Sequence, residues 1–388
     1  MRLDMKSDYL PITSVATIIS GGTPKTSIPD YWDGNIPWLS VKDFNNDSKF
    51  VYSTEKRITE LGLKNSSTNL LKADDIIISA RGTVGKLAMI PFDMTFNQSC
   101  FGIRADIEKI LPHYLYYALK NNIQTIKGST HGSVFDTITL KDFDIIKINV
   151  PNLETQKKIV KILSVLDKKI EFINYENFTI EDMLQNYFNN WIDNIKPIAT
   201  VGLDEIAKYT NGLAMQKFRP GDNDLGLPVV KIKEMNFGIS KDTEKCTSGL
   251  KEEYKVFPGD VLFAWSGTLC MKIWDGEVAG LNQHIFKVTS KEYPKWFYYF
   301  WTKKHLERFI NIAKGKATTM GHIQRKELSL SEVLIPNEHE LKKQDELFRP
   351  LLEKIVCNNS QRKSLLHLRD TLLPKLMSDK INLGNVNL

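Results

Sequence analysis

LKADDIIISARGTVGKLAMIPFDMTFNQSCFGI (residues 71–103) and VFPGDVLFAWSGTLCMKIWDGEVAGLNQHIFKV (residues 256–288) are two versions of one segment. Each has an acidic turn residue (Asp75, Asp260), an apolar run and a Gly-Thr turn (Gly82-Thr83, Gly267-Thr268). Each then has an Asn-Gln pair (Asn97-Gln98, Asn282-Gln283) before another apolar stretch. The offset is 260 − 75 = 185 residues, and it recurs at the glycines and the asparagines. Pro151-Asn152 and Pro336-Asn337 keep the same spacing. Upstream the match loosens: NIPWLSVKDF (35–44) parallels LGLPVVKIKEM (225–235) at an offset of 228 − 37 = 191. Solenoid units run to about 20–50 residues, so this period signals a duplicated domain.

Each copy begins as a globular part. The apolar runs DIIISA, KLAMI, VVKIK, DVLFAW and HIFKV are bracketed by Gly/Pro/Asp turns and predict short strands. PHYLYYALKNNI (112–123) and PKWFYYFWTKKHLERFI (294–310) predict matched helices, each opened by Pro in its first turn. The class is α/β in the mixed α+β sense. A long helix follows each globular part. Positions 159, 163, 166, 170, 173, 177, 180, 184, 187 and 191 alternate spacings of four and three. All are apolar or aromatic except Asn177, the pattern of a coiled-coil seam with one polar residue to fix register. Leu163, Leu166, Ile170, Ile173, Asn177 and Leu184 carry this stripe; Phe348, Leu352, Ile355 and Leu366 mark a less regular one, interrupted near Asn358-Asn359 and Arg362. The simplest burial is an antiparallel helix pair with a globular domain at each end; the alternative is an amphipathic helix packed on its own domain. The expected limits are 1–152 and 196–336 for the domains, 153–193 and 337–378 for the helices, and 379–388 for a tail.

Composition excludes little else. The net charge of +6, from 52 basic and 46 acidic side chains, permits nucleic-acid binding without demanding it. Cys100, Cys246, Cys270 and Cys357 are scattered, which argues against structural zinc and a disulfide framework and fits reduced thiols in the cytoplasm. The N-terminus MRLDMKSDYL has no signal-peptide core, and no apolar run reaches the roughly 18 residues of a membrane span.

Catalytic chemistry is hard to find. Gly82-Thr83-Val84-Gly85-Lys86 is too short for a phosphate loop, and Leu87 stands where Ser or Thr should hold magnesium. No G-x-G-x-x-G loop follows a strand, and the Pro-Pro-aromatic motif of amino-methyltransferases is missing. Asp242 with Glu253 and Lys255 is a weak nuclease-like set without a counterpart in the first copy. The seven His are singletons. No catalytic or metal-binding residue is assigned.

GGTPKTSIPDYWDGNIPWLSVKDF (21–44), the paired ADDIIISARGTVGK and PGDVLFAWSGT segments, VPNLETQKKIVKILSVLDKKI and the C-terminal LRDTLLPKLMSDKI resemble the DNA specificity subunits of type I restriction–modification systems. The resemblance spans nearly the whole chain. It implies two target-recognition domains separated by an antiparallel helix pair, reading a split double-stranded DNA target with one half per domain. It implies no catalysis by the chain itself. Two modification subunits would bring S-adenosylmethionine for adenine methylation, and restriction/translocase subunits would bring ATP and Mg2+. The second copy departs in its first motif: NGLAMQKFRPGD replaces GGTPKTSIPD, and Val229 replaces Trp38. The two half-sites should therefore differ.

Base edges call for polar donors and acceptors, phosphates for Lys, Arg and backbone amides. In the first copy the candidates are Thr23, Lys25, Lys42, Arg81, Thr83, Lys86, Asn97 and Gln98. Lys127 and His131 join them from the basic loop 127–133. In the second they are Lys217, Arg219, Lys231, Lys233, Ser266, Thr268, Asn282, Gln283, Lys314 and Lys316. Arg81 could grip guanine or make an ordinary salt bridge. The Asn-Gln pairs could read bases or brace a turn, and Trp38 could stack on a base or fill the core. The competing functions are a single-chain nuclease or methyltransferase with an unrecognised site, and a two-headed protein-interaction rod.

Overall fold

The runs DIIISA and DVLFAW lack polar residues at alternate positions, which requires both strand faces to be buried. The computed structural model, which describes residues 8–44, 48–82, 84–128, 137–315 and 321–378, shows what covers them. The chain forms two units: Met1–Phe172 with Arg362–Leu388, and Ile173–Gln361. Each contains one globular domain and part of both long helices.

In the first unit the strands are β1 (Asp8–Pro11), β2 (Ala16–Ser20), β3 (Trp32–Leu39), β4 (Lys56–Ile58), β5 (Leu70–Leu71), β6 (Ile76–Ser79), β7 (Leu87–Met89), β8 (Met94–Phe96), β9 (Cys100–Ala105) and β10 (Lys147–Val150). The helices are α1 (Glu60–Lys64), α2 (Pro112–Gly128), α3 (Asp142–Ile145) and the start of α4 (Leu153–Asn194). One sheet has the order β2-β9-β6-β7, all antiparallel. The other runs β4-β3-β8-β5, with β3 and β8 parallel. Period-two alternation sends Ile76 and Ile78 into a core with Tyr114 and Tyr117 of α2, while Ile77 joins Leu39, Met94 and Phe96 of the second sheet. The central strand is thus sandwiched between a helix and a sheet.

The second unit repeats the plan. Its strands are β11 (Ala199–Gly202), β12 (Lys208–Asn211), β13 (Leu227–Val230), β14 (Lys245–Cys246), β15 (Lys255–Val256), β16 (Val261–Ala264), β17 (Cys270–Ile273), β18 (Ala279–Leu281), β19 (Ile285–Thr289) and β20 (Glu332–Ile335). Its helices are α5 (Leu203–Ile206), α6 (Ile232–Phe237), α7 (Lys295–Lys304), α8 (Leu306–Lys314), α9 (Lys326–Ser329) and most of α10 (Glu338–Met377). The sheets run β12-β19-β16-β17 and β14-β13-β18-β15, again with one parallel pair. Val261 and Phe263 face the α7 core, and Leu262 and Ala264 face the second sheet. The parallel rungs pair Trp38 with Thr95 and Val229 with Gly280. The upstream offset of 191 is therefore correct: the first copy is six residues longer between these strands (97 − 39 = 58 against 282 − 230 = 52).

One expectation fails locally. The helix read over 294–310 is two helices, α7 and α8, meeting at His305. The Thr302 hydroxyl donates to the Tyr298 carbonyl at 2.7 Å, a bond that competes with the helical ladder just before the break. Pro294 is the N-cap of α7, whereas Pro112 occupies the first position of α2.

The Pro-Asn anchors start the long helices. Asn152 Oδ1 accepts from Thr155 N and Asn337 Oδ1 from Glu340 N, both at 2.9 Å. Both are N-caps that satisfy otherwise orphaned donors. Within each unit the two helices run antiparallel. In the first, Leu163 shares a core with Leu373 and Leu376, and Asp167 meets Arg369. In the second, Leu184 and Phe188 pack with Phe348, Leu352 and Ile355. Asn177 donates to Asn359 at 2.9 Å and accepts from Asn358 at 2.8 Å. The apparent interruption is thus a polar layer, and the polar seam residue has its own partners. Ile170 and Ile173 are buried as expected of a seam. Leu166 and Leu366 are only half-buried; Asp167 takes the deep position next to Leu166, and Arg369 the one three residues beyond Leu366. Farther on, Phe188 is buried and Tyr187 is 40% exposed. A strict seven-residue repeat drifts about 20° per heptad against a 3.6-residue helix, which moves the buried line by one residue.

Candidate nucleic-acid interface

The ends of the strands gather Thr23, Arg81, Asn97 and Gln98 of the first unit. Asn97 N donates to Leu39 O at 2.9 Å, and Gly22 N donates to Phe96 O at 3.0 Å. Ala80 N donates to Ser99 O at 2.8 Å, Ile138 N to Ala80 O at 2.8 Å, and Arg81 forms a bridge with Thr137. These bonds bring the chain around residues 22, 39, 81, 98 and 137 together at one end of the two sheets. The fit is close: a Cβ on Gly21 would lie 2.1 Å from Asn97 O, which only glycine avoids. Gly82 (φ 76°) turns the chain just beyond Arg81.

Arg81 is exposed and makes no side-chain hydrogen bond or ion pair among the described residues. Lys25 is exposed in the same way. Lys42 is exposed, with only a 3.9 Å contact to Glu55, a pair of negligible strength at that exposure. Thr23 donates to the side chain of Gln98, holding the exposed glutamine at this edge. Lys86 is half-buried, and its backbone closes the β6–β7 turn through Ser79. Asn97 Oδ1 accepts from Ser99 N at 3.1 Å, so it braces the turn. Trp38 is core: its ring is 8% exposed and Nε1 donates to Gly22 O at 3.0 Å. Lys127 lies in the last turn of α2. Thr83, His131 and Lys316 lie outside the described residues.

The second unit has the same backbone frame. Asn282 N donates to Val230 O, Leu213 N to Leu281 O, Trp265 N to His284 O and Ile323 N to Trp265 O, at 2.9–3.2 Å. Ser266 forms a bridge with His322. A Cβ on Gly212 would lie 2.2 Å from Asn282 O. Thr268, Lys217, Arg219, Lys233 and Lys314 are exposed, and no ion pair holds their charged members among the described residues. Three candidates are shielded or already engaged within the unit. Ser266 is 6% exposed, withdrawn beneath its neighbours. Asn282 is 7% exposed and its Oδ1 accepts from His284 N at 3.2 Å, so it braces the turn as Asn97 does. Lys231 is held by Glu244 at 2.5 Å. Gln283 is half-buried, 3.2 Å from His284 Nε2, because Ala214 stands where Thr23 would have engaged it.

Sequence reading missed Trp265, His284 and His322, which sit together: the Trp265 ring lies 6.2 Å from each imidazole and 5.5 Å from Phe286, on which it stacks. A signal was present, since TITLKDF (137–143) and HIQRKEL (322–328) continue the 185-residue offset.

A buried polar network lies elsewhere, where the first domain meets its helices. Lys49 is 3% exposed and donates to His113 Nδ1 at 2.8 Å and Tyr117 Oη at 3.1 Å. Tyr117 donates to Asp167 Oδ2 at 2.5 Å, and Arg369 donates to Asp167 Oδ1 at 3.0 Å. Burial pulls the Lys49 ammonium down to about 8. Burial and the nearby Asp167 push Tyr117 up, so it remains a protonated donor. Among the described residues no three His, Cys, Asp or Glu are grouped to hold a metal ion, and no helix is long and apolar enough to cross a membrane.

Residues 6–182 and 196–366 each match the family model described as Type I restriction modification DNA specificity domain. The type I restriction enzyme MjaIX specificity subunit of Methanocaldococcus jannaschii is 27% identical over 410 residues, covering 95% of this chain and 92% of that protein. The EcoR124I/EcoR124II specificity subunit of Escherichia coli is 34% identical over 161 residues, 38% of this chain and 37% of that protein. A crystal structure of a type I restriction–modification system S subunit from M. genitalium matches with a TM-score of 0.55 at 16% identity, over 97% of each chain, a likeness of fold.

Proposed function

The chain belongs to the type I restriction–modification DNA specificity family, and from that membership we propose that each unit reads one half of a split, asymmetric double-stranded DNA target. The observation that carries this is one frame with two sets of side chains. Backbone bonds repeat from unit to unit around residues 80, 97, 99 and 138 and their counterparts 265, 282, 284 and 323. The polar groups on that frame differ: Thr23, Arg81, Ser99 and Thr137 become Ala214, Ser266, His284 and His322. A shared frame presents the readers at one place, and unlike readers select unlike bases. The exposed cations Lys25 and Lys42, and Lys217, Arg219 and Lys233, supply the phosphate attraction that positions the frame on the duplex, and Arg81 is left to read a base.

In this proposal the chain performs no chemistry. Two modification subunits bring S-adenosylmethionine and methylate adenine, and restriction/translocase subunits bring ATP and Mg2+. Mapping methylated adenines on DNA exposed to the chain with its modification subunits tests it. The expected motif has two unlike halves separated by unread bases. A continuous motif, two identical halves, or methylation or cleavage by the purified chain alone would overturn it.

A further inference from the structure

The 185-residue register carries the Arg81–Thr137 bridge onto the Ser266–His322 bridge. Residues directly opposed in an antiparallel pair point to the same face. The first unit therefore places one long polar group and one short one on this face, and the second unit does so too. The long group has changed strands: it stands at position 81 in the first unit and at 322 in the second. Ser266 is buried at 6% exposure and cannot reach outward, while His322 is half-exposed. Ala80, the neighbour of Arg81, is replaced by Trp265, whose ring meets His322 edge-on (80° between planes) and is anchored by Phe286 below and by its Nε1 bond to Asn211 at 2.9 Å. A large ring thus fills the space left by the small residue and supports the imidazole from the side.

We infer that His322, braced by Trp265, contacts a base edge in the half-site of the second unit, at the place where Arg81 acts in the first. This rests on the proposal that each unit reads a half-site. The chemistry of the two contacts differs. A guanidinium can grip guanine O6 and N7 with two parallel bonds, whereas an imidazole offers one N–H or one bare nitrogen per edge. The second unit should discriminate less sharply at its counterpart base pair.

The test uses the full chain assembled with its modification subunits and maps methylated adenines for wild type, Arg81→Ala, His322→Ala and the exchange Ser266→Arg/His322→Thr. Wild type must first give a split motif; failure there sinks the proposed function itself. Given a split motif, His322→Ala should raise methylation of sites altered at one position by about tenfold relative to wild type. The affected position should lie in the half that Arg81→Ala leaves unchanged. The exchange should shift preference at that same position, toward guanine on one strand. Thermal melting of each assembled variant separates recognition from folding, and the exchange supplies a second reading if His322→Ala melts early. An unchanged motif in both His322 variants, or a uniform loss across all sites with melting intact, would overturn the assignment.

Discussion

Arg369 Nη1 donates to Asp167 Oδ1 at 3.0 Å, and both side chains are about 5% exposed or less. The pair joins α10 to α4 inside the first unit, and the Tyr117 hydroxyl ties it to α2. Removing Arg369 leaves the buried Asp167 carboxylate without its ion-pair partner, with the Tyr117 hydroxyl still donating to it. Arg369→Leu should therefore cost about 3–5 kcal/mol, read from the urea midpoint of unfolding. The double change Arg369→Leu/Asp167→Leu should recover most of that loss, because neither apolar side chain needs an ion partner. Equal losses in the single and double variants would show that packing, not charge, dominates.

Lys49 makes the first unit sensitive to pH. Its pKa is about 8 when folded, below the ordinary lysine value, because burial penalises the ammonium. A group depressed in this direction costs stability while it is protonated, and that cost fades as pH rises through 8 toward the unfolded value. Stability of the wild type should rise relative to Lys49→Met by about 1–2 kcal/mol between pH 7 and 9.5, at about 1.4 kcal/mol per pKa unit. Denaturant titrations at several pH values would show it. A flat or falling difference would contradict the burial argument.

The helix caps give a symmetric prediction. Asn152→Ala and Asn337→Ala each remove one bond to an orphaned donor at a helix start. Each should lower stability by about 1 kcal/mol, visible as a drop in melting temperature. A large difference between them would mean that one cap has a second role.

Arg81→Ala should relax preference at one base of one half-site by about 1–3 kcal/mol, measured as relative binding of single-base target variants by the assembled complex. A loss spread evenly over all sequences would make Arg81 a phosphate contact instead.

Some of this was legible from residues alone. The Asp75, Gly82, Asn97 and Pro151 anchors recur because they mark turns and a helix start, where backbone geometry limits the choice of residue. Trp38 was ambiguous in sequence. Its Nε1 bond to Gly22 and its place in the parallel sheet settle it as core. The seam was legible in period and blurred in detail: Asp167, Asn358 and Arg369 are buried although their chemistry reads as surface. Each is held by partners 181–202 residues away, which no local pattern reveals.

The sequence by itself determined the duplication, the strand-rich domains and the long helices. Turns, apolar runs and helical periodicity are short-range constraints, written in neighbouring residues. Only the tertiary structure decided which polar groups share one edge. Arg81 meets Thr137, Ser266 meets His322, and Thr23 meets Gln98 across gaps of about 55–75 residues, through sheet pairing whose register depends on the whole domain. The repeat announced two alike units. The fold shows that they hold unlike side chains on one frame, because backbone bonds fix the frame and leave the exposed side chains free to differ.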